Sequence, residues 1–340
     1  MLDNFRASLE DFKQFKKFDL IEDKIKFILN YAILAPSTHN SQPWLFRIVD
    51  YSCEIYKNPE KQLPEADVDG RDLYISLGCC IENLKIAASY FGIYKSTKYA
   101  SKNNRNLVAT IYFEINQVKF NEQYQKLLKA VVYRLNVRGL FSKKNLDNGD
   151  LSVLRKINNL GITVNFITDK TKLKKIADLT AKGLRLAHSK QDFKDEMSRW
   201  VNNNFSKRRE GIPGYSLRMP NLFSIAFPLL IRRFNMGKKL SGLNYISMMS
   251  APVVCVVSSK SDNPEGWLGV GQLSERIMLE SYNRGLRTSI FVASIEIDDL
   301  YKEIQKLLGL KDRPQFVFCI GYMKLNQKYT PRLPLQDKLL

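Results

Sequence analysis

Apolar residues recur at helical spacing through Phe5, Leu9 and Phe12, and again through Ile21, Ile25 and Ile28, with the second stripe running on into Ala32, Leu34 and Ala35. This spacing predicts that the chain opens with amphipathic helices. Loop residues intervene over 36–43, after which residues 44–49 and 53–56 have the β-branched and aromatic content of two strands. A longer helical pattern over 73–90 stops at Gly92, a residue suited to the left-handed turn after a helix, and a strand-like run covers 107–115. From Leu127 the order partly recurs: a helix into Arg134, a strand over 161–168, a helix over 173–187, a strand over 252–257, then another helix bounded by glycine.

A shift of 193 residues places Gly78 on Gly271, Glu82 on Glu275, Gly92 on Gly285 and Ser96 on Ser289. Leu77 then meets Val270, Leu84 meets Ile277, Ile86 meets Leu279 and Ile93 meets Leu286, so the buried face of one helix is specified twice. The alternative is two unrelated amphipathic helices that both end at glycine.

Composition changes this picture little. With 340 residues, 44% hydrophobic and 26% charged, the chain is ordinary globular material with room for a sizeable core. The net charge of +19 admits nucleic acid, an anionic membrane surface or a phosphorylated ligand. The basic residues are scattered, with no arginine-rich tail and no nucleic-acid-binding motif, and nucleic acid is not expected as a partner. Five cysteines without a C-x-x-C read as buried, reduced thiols, and His39 and His188, the two histidines, have no metal-ligand spacing. Residues 1–20 form a charged amphipathic stretch rather than a signal peptide, and 222–231 is about half the roughly 20 apolar residues a membrane span needs. A cytoplasmic location is expected, with chemistry supplied by an organic cofactor.

One stretch is specific in composition: Ala35-Pro-Ser-Thr-His-Asn-Ser-Gln-Pro-Trp44, set between a helix and a strand. Pro36, Ser37, Thr38 and Asn40 offer a turn with two hydroxyls and an amide, although a plain capped turn uses the same residues. The stretch resembles the flavin-contacting loop of nitroreductases. In dimers of that family an arginine motif from the other subunit holds the FMN phosphate, and Arg134-Leu-Asn-Val-Arg138 resembles its R-x-S-x-[RK] pattern, with Asn136 in the hydroxyl position. The resemblance also implies that Asn244 addresses the pyrimidine edge of the ring and that the backbone of Ile290, Phe291 and Val292, after the glycine-leucine turn at Gly285, faces flavin N5. It directs Arg332, in Pro331-Arg-Leu-Pro334, at the phosphate. Thr330 departs from the pattern, standing where a lysine is common.

Asp69-Gly-Arg-Asp72, the tandem halves and Glu210-Gly-Ile-Pro213 together resemble the Acg-like branch, whose members carry two nitroreductase-like halves in one chain. The resemblance implies an α+β, nitroreductase-like fold in which halves 1–125 and 126–340 form an intramolecular pseudo-dimer, the second half bearing a lid insertion at about 202–242. From Lys207 to Lys239 there are eight Lys/Arg and one acidic residue, and Phe223, Phe227, Leu229, Leu230 and Ile231 give the segment an apolar surface. Packing over the flavin is the expectation, with a membrane-facing flap as the alternative. A monomer holding one FMN is expected, because the second site would need a cation where Arg6-Ala-Ser-Leu-Glu10 has glutamate. The implied activity is transfer of two electrons from NAD(P)H to a small electrophilic acceptor, nitro or quinone-like, with no obligatory catalytic side chain. The alternative is an FMN-sequestering protein without efficient turnover.

Overall fold

The computed structural model describes residues 12–100, 106–115, 121–324 and 327–340. The stripe at Phe5 and Leu9 and the segment 6–10 lie outside the described residues. Helices α1 (Phe12–Phe15) and α2 (Ile21–Ala32) lead to strands β1 (Trp44–Val49) and β2 (Ser52–Lys57), helix α3 (Arg71–Tyr90), and strands β3 (Tyr94–Tyr99) and β4 (Leu107–Phe113). After α4 (Gln125–Tyr133) and α5 (Asn148–Lys156) come β5 (Ile162–Ile167), α6 (Lys170–Ala187), α7 (Gln191–Trp200), β6 (Val201–Asn202), β7 (Ile212–Pro213), α8 (Asn221–Arg233) and α9 (Gly237–Ser250). The chain finishes with β8 (Val253–Ser259), α10 (Pro264–Asn283), β9 (Arg287–Ile290), α11 (Ala293–Glu296), α12 (Leu300–Leu308) and β10 (Arg313–Gly321).

Eight of the described strands form two four-stranded antiparallel sheets, ordered β1-β2-β4-β3 and β5-β8-β10-β9, and β6 and β7 make a separate parallel pair. Matching β1 with β5, β2 with β8, β3 with β9 and β4 with β10 reproduces one order from the other, with α3 and α10 at the same point in each. The sheets differ in what joins their strands. Asp50 and Tyr51 make the turn between β1 and β2, whereas residues 168–252, with α6 to α9, stand between β5 and β8.

The two long helices start by different devices and stop by the same one. Asp67 accepts from the N–H groups of Asp72 and Leu73 (2.9 and 2.8 Å) at the start of α3, while Asn263 accepts from Gly266 N–H (3.0 Å) at the start of α10. At their ends Gly92 and Gly285 take φ of 71° and 72°, which lets Ile93 N–H reach the Ala88 carbonyl and Leu286 N–H reach that of Ser281, both at 2.9 Å. Every residue in these two caps is related by the shift of 193.

The helices meet at Gly78 and Gly271. A Cβ on Gly78 would overlap the Leu268 carbonyl oxygen, and one on Gly271 would overlap that of Ile75, which is again the same contact displaced by 193 residues. Glycine is required at both places because the obstacle is backbone, which cannot move aside as a side chain can. Around this crossing Leu77, Leu84 and Ile86 bury toward the first sheet, and Val270, Leu273 and Ile277 toward the second. The C-terminus then crosses back: Leu339 bridges Phe46 in parallel, and Leu340 N–H bonds to the Phe46 carbonyl (2.8 Å), extending the first sheet at β1.

Candidate functional site

Ala32 ends α2, and the next ten residues make an unusual turn in which His39, Asn40 and Gln42 all have positive φ (52°, 55° and 53°). Three left-handed non-glycine residues so close together cost on the order of 1 kcal/mol or more each. Hydrogen bonds from several distant segments hold the turn in place. Thr38 N–H donates to Ser76 Oγ and Thr38 Oγ1 to Asp72 Oδ2, both 3.3 Å, and Gln42 N–H donates to Ser37 Oγ (3.0 Å). The Asn40 amide donates to the Arg209 and Pro331 carbonyls (3.2 Å each), and Gln42 Nε2 donates to Arg209 O (2.9 Å). Lys338 Nζ donates to Gln42 O (2.7 Å), and Leu333 N–H to Gln42 Oε1 (2.9 Å). The loop is thus fixed by α3, by the insertion and by the C-terminal tail.

This loop forms one wall of a cavity of about 340 Å³, within the range of small-molecule sites. All twelve candidate residues border it: Pro36, Ser37, Thr38, Asn40, Arg134, Asn136, Arg138, Asn244, Ile290, Phe291, Val292 and Arg332. They come from the loop, the segment after α4, helix α9, the end of β9 with the two residues beyond it, and the C-terminal tail.

Within that shared wall several local expectations change. Helix α4 ends at Tyr133, so Arg134 and Arg138 are not on a helix; Arg134 is extended (ψ 142°) and Asn136 bridges Thr288, with Thr288 Oγ1 donating to its Oδ1 (2.9 Å). The edge of the second sheet draws this segment out of helical geometry. Arg134 pairs with the buried carboxylate of Glu275 (3.2 Å) and reaches the Leu34 carbonyl (3.4 Å), which makes it an internal tie. With its amide turned to suit its neighbours, Asn83 donates to the same carboxylate (3.0 Å) and accepts from Ala35 N–H (3.2 Å). Burial nevertheless raises the Glu275 pKa to about 7, with Arg134 opposing the rise.

Arg332 is the larger correction. Instead of pointing a free guanidinium into the cavity, it donates to the Ile33 carbonyl (3.0 Å), to those of Leu34 and Ala35 (3.1 and 3.0 Å), to Asn40 Oδ1 (2.9 Å) and to Thr330 Oγ1 (2.8 Å). It caps the carbonyls that follow α2, where a cation is favourable, and Thr330, out of place in the family pattern, is one of its partners. Asn40 is likewise committed to backbone and to Arg332. Phe291 N–H bonds to the Val317 carbonyl (3.0 Å), so it is taken up by β10, whereas Val292 N–H, beyond the end of β9, makes no backbone bond among the described residues.

Arg138 has the opposite character. It is half-buried, donates to the Ile290 carbonyl (3.3 Å) and lies 5.8 Å from the Phe291 ring centre, with no carboxylate partner among the described residues. Burial lowers its pKa, so the cavity holds a desolvated cation that lacks an anion.

Several lining residues gave no signal strong enough to single them out. Lys328 borders the cavity from an exposed position two residues before Thr330, and Gln327 beside it donates to the Ser216 carbonyl (2.8 Å). Asp72 and Glu296 also line the cavity; burial, then the neighbouring Asp72, raises the Glu296 pKa well above the usual carboxylate range. Asp69-Gly-Arg-Asp72 was the available hint for Asp72. His39 also faces the cavity, and burial lowers its pKa to about 4, against the pull of Asp72, which keeps it neutral near pH 7.

The insertion supplies Ile212, Leu217, Phe227, Ile231 and Leu240 to the cavity wall. Of the apolar residues singled out in the insertion, Phe227 and Ile231 are buried and border the cavity, whereas Phe223 and Leu229 are exposed. A thirteen-residue helix cannot bury both faces against one wall.

No family profile matches the chain. It is similar along most of its length to Mycobacterium tuberculosis proteins: a chain provisionally named NAD(P)H nitroreductase Rv3131, 20% identical over 318 residues covering 93% of this chain and 90% of that one. The similarity lies with the nitroreductase superfamily. A second chain of that organism, provisionally named NAD(P)H nitroreductase acg, is 23% identical over 330 residues, covering 93% of this chain and 95% of its own length. Among solved structures, the nitroreductase NfnB of sphigopyxis sp. strain HMH aligns with a TM-score of 0.41 at 17% identity, covering 62% of this chain and 96% of that one.

Proposed function

We propose that the chain is an FMN-dependent oxidoreductase of nitroreductase type, which takes two electrons from NAD(P)H and passes them to a small electrophilic acceptor such as a nitro or quinone-like compound. The observation that carries this reading is the convergence of twelve residues, chosen from separate sequence segments by one family pattern, on one cavity. The names of the mycobacterial relatives point the same way. Residues 1–125 and 126–340 are read as two nitroreductase-like halves forming an internal pseudo-dimer, supported by the matching sheets, caps and glycine crossing, with residues of about 202–242 as the lid.

The donor set fits FMN. Arg138, a desolvated cation without an anion, and Lys328 would hold the phosphate, while Arg134 and Arg332 keep the surrounding backbone in place. The Ser37 hydroxyl, the Asn136 and Asn244 amides and Val292 N–H would address the polar edges of the ring. Bound FMN supplies two-electron chemistry that no side chain here can perform. Burial raises the Glu296 pKa well above the usual carboxylate range, and neutral His39 adds no competing positive charge beside the phosphate cations.

A second reading, sequestration of FMN without turnover, is favoured by the bonds that tie the insertion to the loop and the C-terminal tail: Asn40 and Gln42 to Arg209 O, Tyr215 Oη to Tyr329 O (3.1 Å) and Gln327 to Ser216 O. Purified protein should carry one FMN per chain by its absorption spectrum. Anaerobic NADPH should then bleach that spectrum if the chain is a reductase, whereas a persistently oxidised spectrum selects sequestration. A colourless protein that fails to take up added FMN rejects both readings.

A further inference from the structure

Helix α8 has two apolar faces. Ser224, Phe227 and Ile231 turn inward, while Leu222, Ile225 and Leu229, at i, i+3 and i+7, are 81%, 54% and 59% exposed. Phe223, also exposed, lies against Lys239 Nζ (5.6 Å from the ring centre), and Lys239, Leu243 and Ile246 share one face of α9 by spacing. Phe234, 59% exposed, closes the α8 end of this surface. A run of large exposed apolar side chains of this kind requires a partner.

Its charge identifies the partner. Arg233 and Lys238 are exposed where α8 gives way to α9, Lys239 is exposed beside Phe223, and Arg232 pairs with Asp195 (3.1 Å). The one acidic residue between Lys207 and Lys239, Glu210, is engaged by Lys61 (2.8 Å). Apolar side chains with a cationic border fit a surface that offers hydrocarbon behind negative headgroups. A second copy of the chain fits poorly, because a two-fold contact through this face would bury Arg233, Lys238 and Lys239 of both copies while the segment's one acidic residue, Glu210, is already engaged by Lys61.

We propose that the outer face of α8, with the start of α9, docks on an anionic lipid bilayer surface. Leu222, Ile225 and Leu229 enter the headgroup boundary, and Arg233, Lys238 and Lys239 meet the lipid phosphates. This binding is lateral and reversible, since among the described residues no helix is long and apolar enough to cross a membrane. It is independent of any flavin chemistry.

The test is co-sedimentation of the full chain with vesicles of phosphatidylglycerol and phosphatidylcholine in equal parts, against phosphatidylcholine alone. The protein should pellet with the mixed vesicles at low salt, stay in solution with the neutral ones, and be released by high salt. Two variants separate the contributions: Leu222→Ser/Ile225→Ser/Leu229→Ser, and Arg233→Gln/Lys238→Gln/Lys239→Gln. Each should weaken binding on the order of a hundredfold while keeping the parent's circular dichroism, since all six side chains are exposed. No pelleting with mixed vesicles overturns the proposal, as does full binding by the serine variant, which would mean that the net charge adsorbs through another face. A parent dimer that the serine variant dissociates overturns it in favour of self-association.

Discussion

The crossing of α3 and α10 and the cavity are built from the same repeated pieces with opposite outcomes. At the crossing, α3 meets α10 just as α10 meets α3, down to the carbonyl that would meet an added Cβ. At the cavity the correspondence is gone. Glu82 is buried but pairs with two partly exposed cations, Arg276 (2.6 Å) and Lys85 (3.8 Å), while Glu275, 193 residues later, is paired with the buried Arg134 and has its pKa raised to about 7. One strand connection is a short turn and its counterpart is the insertion that walls the cavity. Backbone packing tolerates no change on either side, so both copies keep it; a ligand site needs only one complete set of walls.

The crossing should be the easiest feature to break. Gly271→Leu drives a side chain into the Ile75 carbonyl and should cost about 3 kcal/mol or more, enough to abolish soluble folded protein, measured by yield and chemical denaturation. Parent-like stability in the Gly271→Leu variant would refute the interlock.

Cavity arginines should divide by role. Arg332→Met removes a saturated buried cap and should lower stability by about 2–3 kcal/mol in urea unfolding. Arg138→Met should leave stability nearly unchanged and weaken FMN binding about a hundredfold by fluorescence titration. If Arg332 instead controls affinity and Arg138 stability, the assignment of phosphate contacts is reversed.

Next in size is a pH effect at His188, a buried residue beside Phe193 whose pKa burial lowers from 6.5 to about 4. As pH falls from 6.5 toward 4 the unfolded chain takes up a proton that the native state refuses, so native stability is lost in that window, by up to about 3 kcal/mol. Asp67 and Glu275, both raised to about 7, act with the opposite sign, because the native state keeps protons the unfolded chain releases as pH climbs toward 7. The histidine contribution is therefore read as the difference between parent and His188→Gln at matched pH; a constant difference between pH 7 and 4.5 would remove it.

The smallest effect tests equivalence itself. Gly92→Ala and Gly285→Ala each place a Cβ at φ near 70° and should each cost about 1 kcal/mol in thermal unfolding. Unequal costs would show that the two caps bear different loads.

Much of the scaffold was legible because it depends on local chemistry. The helical stripes of α2, α3 and α10, the glycine stops and the β1-β2 hairpin follow from spacing and turn residues. Strand β3, Tyr-Lys-Ser-Thr-Lys-Tyr, was missed because an edge strand with no buried residue carries no alternation. Family pattern led to the cavity wall, but which cations stay available there was invisible. Arg332 is consumed by carbonyls some 300 residues away in sequence and Arg138 is not, a distinction that exists only after the chain has folded. The segment around α8 reads as apolar at Phe223, Phe227, Leu229, Leu230 and Ile231, yet sequence does not say which of these find cover.

Because Gly78 and Gly271 belong to one polypeptide, their meeting is unimolecular and its strength does not fall on dilution. A two-chain assembly built on the same contact would come apart at low concentration and would express every substitution twice. Here one mutation touches one copy, which is the condition under which the twin surfaces could drift toward separate tasks.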